Sequence, residues 1–166
     1  MTAPDLRLRD FLDLFGPARG KRLWYGGASL RSSIQKIGAA DAAWTAPGHD
    51  HSIWQLVLHC AYERCYVACQ LEGVSTRGAF PRKGSSWAPV PLPPSEAAWE
   101  EDKALLWTQH ERLLAAAARF DPARLDEQAT ERFTYADLLW GIIMHDMYHI
   151  GEMVVLRRLV ALRDKG

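Results

Sequence analysis

The stretch from Thr134 to about Arg163 constrains the fold of this chain more than any other feature. It opens with Thr134-Tyr135-Ala136-Asp137, which resembles a capping box, a side-chain arrangement that starts many helices. A helix that runs from this cap to Arg163 would be about 45 Å long at 1.5 Å per residue. A helix of this length favours a bundle in which other long helices pack along it.

Glycine, proline and helix-capping residues divide the rest of the chain into further segments. No segment shows convincing strand alternation, so the sequence predicts an all-α four-helix bundle that forms a single domain over residues 1–166. The segments between the helices are a predicted linker, Gly38–Asp50, and a predicted long surface loop, Val74–Pro94. The predicted helices besides the last are Asp5–Phe15, Ser29–Ile37, Ser52–Leu71 ended by Gly73, and a helix N-capped by Ser95 that runs to about Phe120.

Composition argues against several classes of partner. Lys and Arg together number 20, as do Asp and Glu, so we expect no nucleic-acid binding. No apolar run approaches the roughly 18 residues of a membrane-spanning helix, so we expect no membrane insertion. The first residues do not resemble a signal peptide, which makes a cytoplasmic location the expectation. The clustered cysteines are expected to be small packing residues: Cys60, Cys65 and Cys69.

Two histidines lie one helical turn apart in the last helix, as His145 and His149. At this spacing two side chains differ by about 40° in direction and about 6 Å in height, so both imidazoles can reach one ion. They share an apolar stripe with Glu152, and burying such polar groups is costly unless each has a partner. A metal ion would be such a partner, and hydrogen bonds to Glu63 or Tyr66 are the alternative.

His59 is the candidate for a third ligand. It lies on a polar stripe of its helix with Gln55 and Glu63, and this stripe is either a solvated face or the lining of a polar pocket. Three neutral imidazoles leave a metal with open positions, as in catalytic sites, where a bound water or thiol loses its proton more easily. On the residues alone, His59, His145 and His149 are candidates to bind a divalent metal such as zinc, nickel or another metal that imidazole suits, and histidines that bind no metal are the alternative. The remaining histidines are expected to be bystanders: His49, His51 and His110.

Three passages make the chain similar to a known group of bacterial proteins. On these passages, and on the proline-rich loop with Trp87, the chain resembles the DinB/YfiT-like superfamily over nearly its whole length. The passages are Trp24-Tyr25-Gly26-Gly27-Ala28-Ser29-Leu30, His51-Ser52-Ile53-Trp54-Gln55-Leu56-Val57-Leu58-His59 and His145-Asp146-Met147-Tyr148-His149-Ile150-Gly151-Glu152.

The resemblance carries implications for fold, metal and partners. It implies four helices in up-down-down-up order with one long crossover. It implies a divalent metal, zinc or nickel, bound by His59, His145 and His149, and it implies a homodimer. Characterised members of the superfamily transfer low-molecular-weight thiols, and others are described as metal-dependent hydrolases.

Three functions stay open at this point. The first is a metal-dependent transferase that joins a small thiol to an electrophile, with Glu63, Tyr148 and Glu152 as candidates to orient ligands or move protons. In that enzyme the loop Gly73–Pro94 would cover the site; otherwise it is a plain crossover. The second function is a hydrolase in which water is the nucleophile. The third is a non-enzymatic, metal-binding stress-response protein.

Overall fold

The computed structural model describes residues 6–16, 27–84 and 86–163. Within these ranges the regular structure is helical, apart from an isolated bridge between Gln128 and Thr134, which confirms the all-α fold class. None of the helices in the described ranges has the length and apolar character that crossing a bilayer requires. The helices are α1 (Leu6–Phe15), α2 (Leu30–Ile34), α3 (Ala39–Ala43), α4 (Ile53–Glu72), α5 (Glu96–Arg119) and α6 (Tyr135–Arg163), with a 3-10 turn at Pro122–Arg124.

The capping residues fix the ends of the three long helices. The Ser52 side chain accepts a hydrogen bond at the start of α4, and Gly73 ends that helix with a φ of 67°. Ser95 caps α5 in the same way. Thr134 and Asp137 exchange hydrogen bonds at the start of α6. Each of these helices begins and ends within a residue of its predicted bounds.

Two predictions for the segment before α4 need correction. The predicted helix Ser29–Ile37 is shortened to α2, because Lys36 has a φ of 61°. The predicted linker Gly38–Asp50 contains the short helix α3. Its first N–H, from Ala39, donates to the Glu96 carboxylate on α5 at 2.7 Å, a distant contact that the local sequence does not reveal.

The first passage of the family resemblance is described only in part. Trp24-Tyr25-Gly26 lies outside the described residues, while Gly27 and the residues after it lead into α2.

Contacts between α4 and α5 show that these two helices run in parallel. Near their starts, the Trp54 indole N–H donates to Asp102 at 2.8 Å. Near the end of α4, Glu72 accepts from Arg112 of α5 at 2.6 Å. A parallel pair requires its connection to return along the whole bundle, which is the path of residues 73–95.

The other two bundle helices run against this pair. Leu71 at the end of α4 shares a cluster with Leu138 at the start of α6, so α6 is antiparallel to α4. Phe15 at the end of α1 lies 5.1 Å from the ring of His110, while Arg7 at its start pairs with Asp126 beyond the end of α5. The order is therefore up-down-down-up with one long crossover, as expected.

Two apolar clusters occupy the bundle. The first half of α4 and the second half of α6 belong to one cluster, with Trp54 and Trp99 fully buried in it. The last turns of α4 and the first turns of α6 belong to the other cluster, which also holds Phe11 of α1. Between these stretches the two helices carry buried polar side chains, which we call the polar layer: His59, Arg64, Asp146 and His149.

Candidate metal centre

The histidines predicted as ligands meet within the polar layer. The rings of His145 and His149 on α6 have centroids 4.5 Å apart, and the ring of His59 on α4 lies 4.9 and 5.0 Å from them. A ring nitrogen of each lies within 4.8 Å of the others. His59 is only 7% exposed, and Gln55 and Glu63 of the same polar stripe are half-buried, so this stripe is not a solvated face.

Groups outside the cluster hold the rings of His59 and His149 through hydrogen bonds to Nδ1. The Nδ1–H of His59 donates to the carbonyl of Ser86 at 3.1 Å, and that of His149 donates to the Glu152 carboxylate at 2.5 Å. Because a carbonyl and a carboxylate can only accept, both rings carry their proton on Nδ1. Their Nε2 lone pairs are therefore the ones free to bind an ion.

The nitrogen geometry fits a divalent metal. Nε2 of His145 lies 3.0 Å from Nε2 of His59, near the spacing of about 3.3 Å between two nitrogen ligands of a tetrahedral zinc ion. Two lone pairs at this distance need a cation or a proton between them. Burial lowers the pKa of His59 to about 4 and also lowers the pKa of His149. Both rings are thus neutral near pH 7, as metal ligands must be.

A buried ion pair lies directly behind His145. Arg64 of α4 donates to Asp146 Oδ2 at 2.5 Å, and the two side chains are only 3% and 4% exposed. Burial works against ionisation of Asp146, but the Arg64 guanidinium and the neighbouring His145 together outweigh it and hold the pKa of that carboxyl below its usual value. The other oxygen, Oδ1, lies 3.6 Å from Nδ1 of His145.

A second group of neighbouring side chains could also hold a metal ion: Cys60, His145 and Asp146. This group is the poorer metal site. Burial raises the pKa of the Cys60 thiol well above its usual value, so the thiolate that a metal requires is disfavoured. Arg64 already provides a cation beside Asp146. Cys60, Cys65 and Cys69 are all buried free thiols, which fits their predicted role as packing residues.

The candidates for supporting roles occupy different positions. Glu152 contacts a predicted ligand directly, through Nδ1 of His149. Glu63 is half-buried near His145, and burial raises the pKa of its carboxyl. Tyr148 is 66% exposed, and its ring lies 4.9 Å from the ring of His149.

The crossover packs directly over this site. The indole of Trp87 stacks between two imidazoles, 3.6 Å from the centroid of His51 and 3.9 Å from that of His59, with its plane within 11° of both. With the Ser86 carbonyl, this stack fixes the crossover onto the ring of His59. Trp87 and Ser86 of the crossover thus both contact His59, and the role of the segment as a cover for an active site stays a prediction.

A cavity of about 380 Å³ lies beside His149. His49 and His51, expected to be bystanders, line it, and the sequence pattern missed them because they precede α4 and follow no helical period. The third expected bystander, His110, lies outside the cavity lining. The remaining residues that line the cavity are Gly48, Asp50, Leu56, Trp87, Tyr148, Glu152 and Leu156.

Fold and site together define a helical-bundle protein with a three-histidine cluster on its two central helices. The sequence of residues 26–153 matches the model of the DinB superfamily, so the chain belongs to that superfamily. Neither a curated protein nor a solved structure gives a significant match to the chain.

Proposed function

We propose that His59, His145 and His149 bind one divalent metal ion, zinc or nickel, and that the protein is a metal-dependent transferase acting with a low-molecular-weight thiol. The observation that carries this proposal is the convergence of three imidazole nitrogens beside a cavity. Three nitrogen ligands leave open coordination positions, as in catalytic rather than structural zinc sites. A divalent ion held there would lower the pKa of a thiol or water ligand.

The residues around the cluster have distinct tasks in such a reaction. Glu152 holds the ring of His149 through Nδ1. Glu63 is half-buried, and burial raises the pKa of its carboxyl, which favours a role in proton exchange. Tyr148 lines the cavity and is exposed, so its hydroxyl can orient a substrate that enters from solvent.

The charge of the cavity lining bears on the substrate. Asp50 and Glu152 contribute carboxylates, and the described lining contains neither lysine nor arginine. An anionic substrate would therefore find no fixed cation there other than a bound metal. This lining favours a thiol that is neutral or carries an amine.

A metal-dependent hydrolase is the second candidate for the same residues. The polar cavity lining, with Glu152 and Tyr148, also suits water as the nucleophile. A non-enzymatic, metal-binding protein is the third, and it would have no need of a cavity beside its ligands. The homodimer stays a prediction.

The test uses protein loaded with zinc or nickel and compares thiol-dependent with thiol-independent turnover. Chlorodinitrobenzene is the electrophile, with cysteamine, cysteine and glutathione as thiols. In this reaction the sulfur bonds to the aryl carbon, chloride leaves with its electron pair, and the thiol proton goes to solvent. We expect product formation that needs metal and thiol and that His145→Ala abolishes. Turnover of nitrophenyl acetate without thiol would favour the hydrolase, and no turnover of either substrate would favour the non-enzymatic protein.

A further inference from the structure

We propose that Asp146 is a positioning residue for His145. Its carboxylate accepts a hydrogen bond from the Nδ1–H of His145, so that Nε2 of the ring faces the metal. This inference rests on the proposed metal site. The other two rings of the cluster are already held in this way, His59 by the Ser86 carbonyl and His149 by Glu152. Asp146 Oδ1, at 3.6 Å from Nδ1 of His145, is placed to do the same for the third ring.

The state of the two facing atoms supports this assignment. Within the described part of the chain, both His145 Nδ1 and Asp146 Oδ1 are buried without a hydrogen-bond partner. A buried polar atom without a partner costs about 1–3 kcal/mol, so such atoms are uncommon in proteins. A small rotation of the His145 ring would close the gap and satisfy both atoms together.

Arg64 fixes the carboxylate for this task. Its Nη2 donates to Asp146 Oδ2, which leaves Oδ1 to face His145. Arg64 comes from α4, the helix that also carries His59. The ion pair therefore joins the two helices that supply the predicted ligands, and it sets the position of the carboxylate relative to both.

Asp102 provides a matched control within the same chain. It is also a fully buried aspartate on a bundle helix that accepts from an arginine, Arg82. Its second oxygen accepts from the indole N–H of Trp54, so both of its oxygens have partners. Asp102 belongs to neither of the two groups of side chains that could hold a metal ion.

The test compares Asp146→Asn with Asp102→Asn in the full chain. In Asp146→Asn the amide oxygen must face Arg64, so the amide NH₂ faces His145 Nδ1 and favours the tautomer with its proton on Nε2, the wrong one for metal binding. We expect zinc affinity, measured by competition with a chromogenic chelator, to fall about 10–100-fold. Asp102→Asn should stay within about twofold of wild type, because its site is independent. Long-range proton–nitrogen NMR of the zinc-loaded wild type should show His145 protonated at Nδ1.

A second variant keeps the test valid if Asp146→Asn does not fold. The double change Arg64→Met with Asp146→Leu removes both charges together, which leaves no unpaired ion in the core. It also removes the acceptor, so we expect the same 10–100-fold loss of zinc affinity.

Three results would overturn the inference. Zinc affinity within twofold of wild type in both Asp146 variants would overturn the positioning role and leave the metal site standing. An equal loss in Asp102→Asn would assign the effect to stability instead. A wild-type protein that binds no zinc or nickel would overturn both this inference and the proposed function.

Discussion

Asp102 and Asp146 are both buried aspartates paired with an arginine, yet their surroundings differ. Asp102 accepts from Trp54 with one oxygen and from Arg82 with the other. Asp146 accepts from Arg64 with one oxygen, while the other faces His145 at 3.6 Å without a partner in the described structure.

The difference separates a structural role from a functional one. A buried network in which every atom has a partner rigidifies the core, and Asp102 ties the crossover to α4 and α5 in this way. A buried atom left unpaired is costly, and Asp146 Oδ1 and His145 Nδ1 are two such atoms that lie 3.6 Å apart. Because His145 is one of the three clustered histidines, these facing positions assign Asp146 a role at the cluster.

The largest expected effect concerns the stability of these two networks. Asp146→Asn should lower the free energy of unfolding by about 3–5 kcal/mol, because it leaves the buried Arg64 guanidinium without a counter-charge. Asp102→Asn should cost less, about 1–3 kcal/mol, because Arg82 is 36% exposed and can be solvated instead. Urea unfolding with a chelator present measures both values without a contribution from metal binding. Equal losses would contradict the distinction between the two networks.

The next effect tests whether the histidine cluster, rather than any buried histidine, binds the metal. His59→Ala removes one of three nitrogen ligands, so zinc affinity should fall more than about 100-fold, beyond the loss for a supporting residue. His110→Ala is the matched control, because His110 is also partly buried but lies outside the cluster. Chelator competition measures both variants. Similar zinc affinities for the two variants would contradict the assignment of the histidine cluster as the metal site.

A smaller effect is expected for the partner of His149. Glu152→Gln keeps the size of the side chain but weakens the hydrogen bond to Nδ1, so zinc affinity should fall about tenfold. Glu100→Gln, at an exposed glutamate paired with Lys103, is the control and should bind zinc like wild type. A loss above 100-fold would instead indicate that Glu152 is itself a ligand.

The smallest effect concerns the pH dependence of stability at His110, a histidine that lies close enough to Arg64 and Asp146 to feel their charges. Burial lowers the pKa of His110 to about 4, and the charges of Arg64 and Arg31 lower it while that of Asp146 raises it. From pH 6.5 down to pH 4 the unfolded chain therefore takes up a proton that the folded chain does not, and stability falls. His110→Gln should reduce this fall by about 1–2 kcal/mol. Urea unfolding at several pH values measures it, and parallel curves for variant and wild type would contradict it.

Most of the fold could be predicted because its signals are local. Ser52, Gly73, Ser95 and Thr134 mark the ends of the long helices through capping interactions with residues nearby in the sequence. The short helix α3 could not be predicted in this way, since it depends on Glu96, far along the chain.

The same distinction between local signals and distant contacts applies to the candidate site. His145 and His149 are one turn apart on a single helix, so their spacing was informative. The role proposed for Asp146 could not be predicted from the sequence, because it depends on Arg64, 82 residues earlier in the chain. The stacking of Trp87 on His59 likewise depends on the path of the crossover, which no periodicity describes.

The central claim is that His59, His145 and His149 hold a metal ion, and metal analysis of untagged protein tests it most directly. The wild type and His145→Ala should be purified in parallel and analysed for all divalent transition metals. The account predicts about one equivalent of zinc or nickel per wild-type chain and little or none in the variant. No metal in either protein, even after incubation with both ions, would contradict the account.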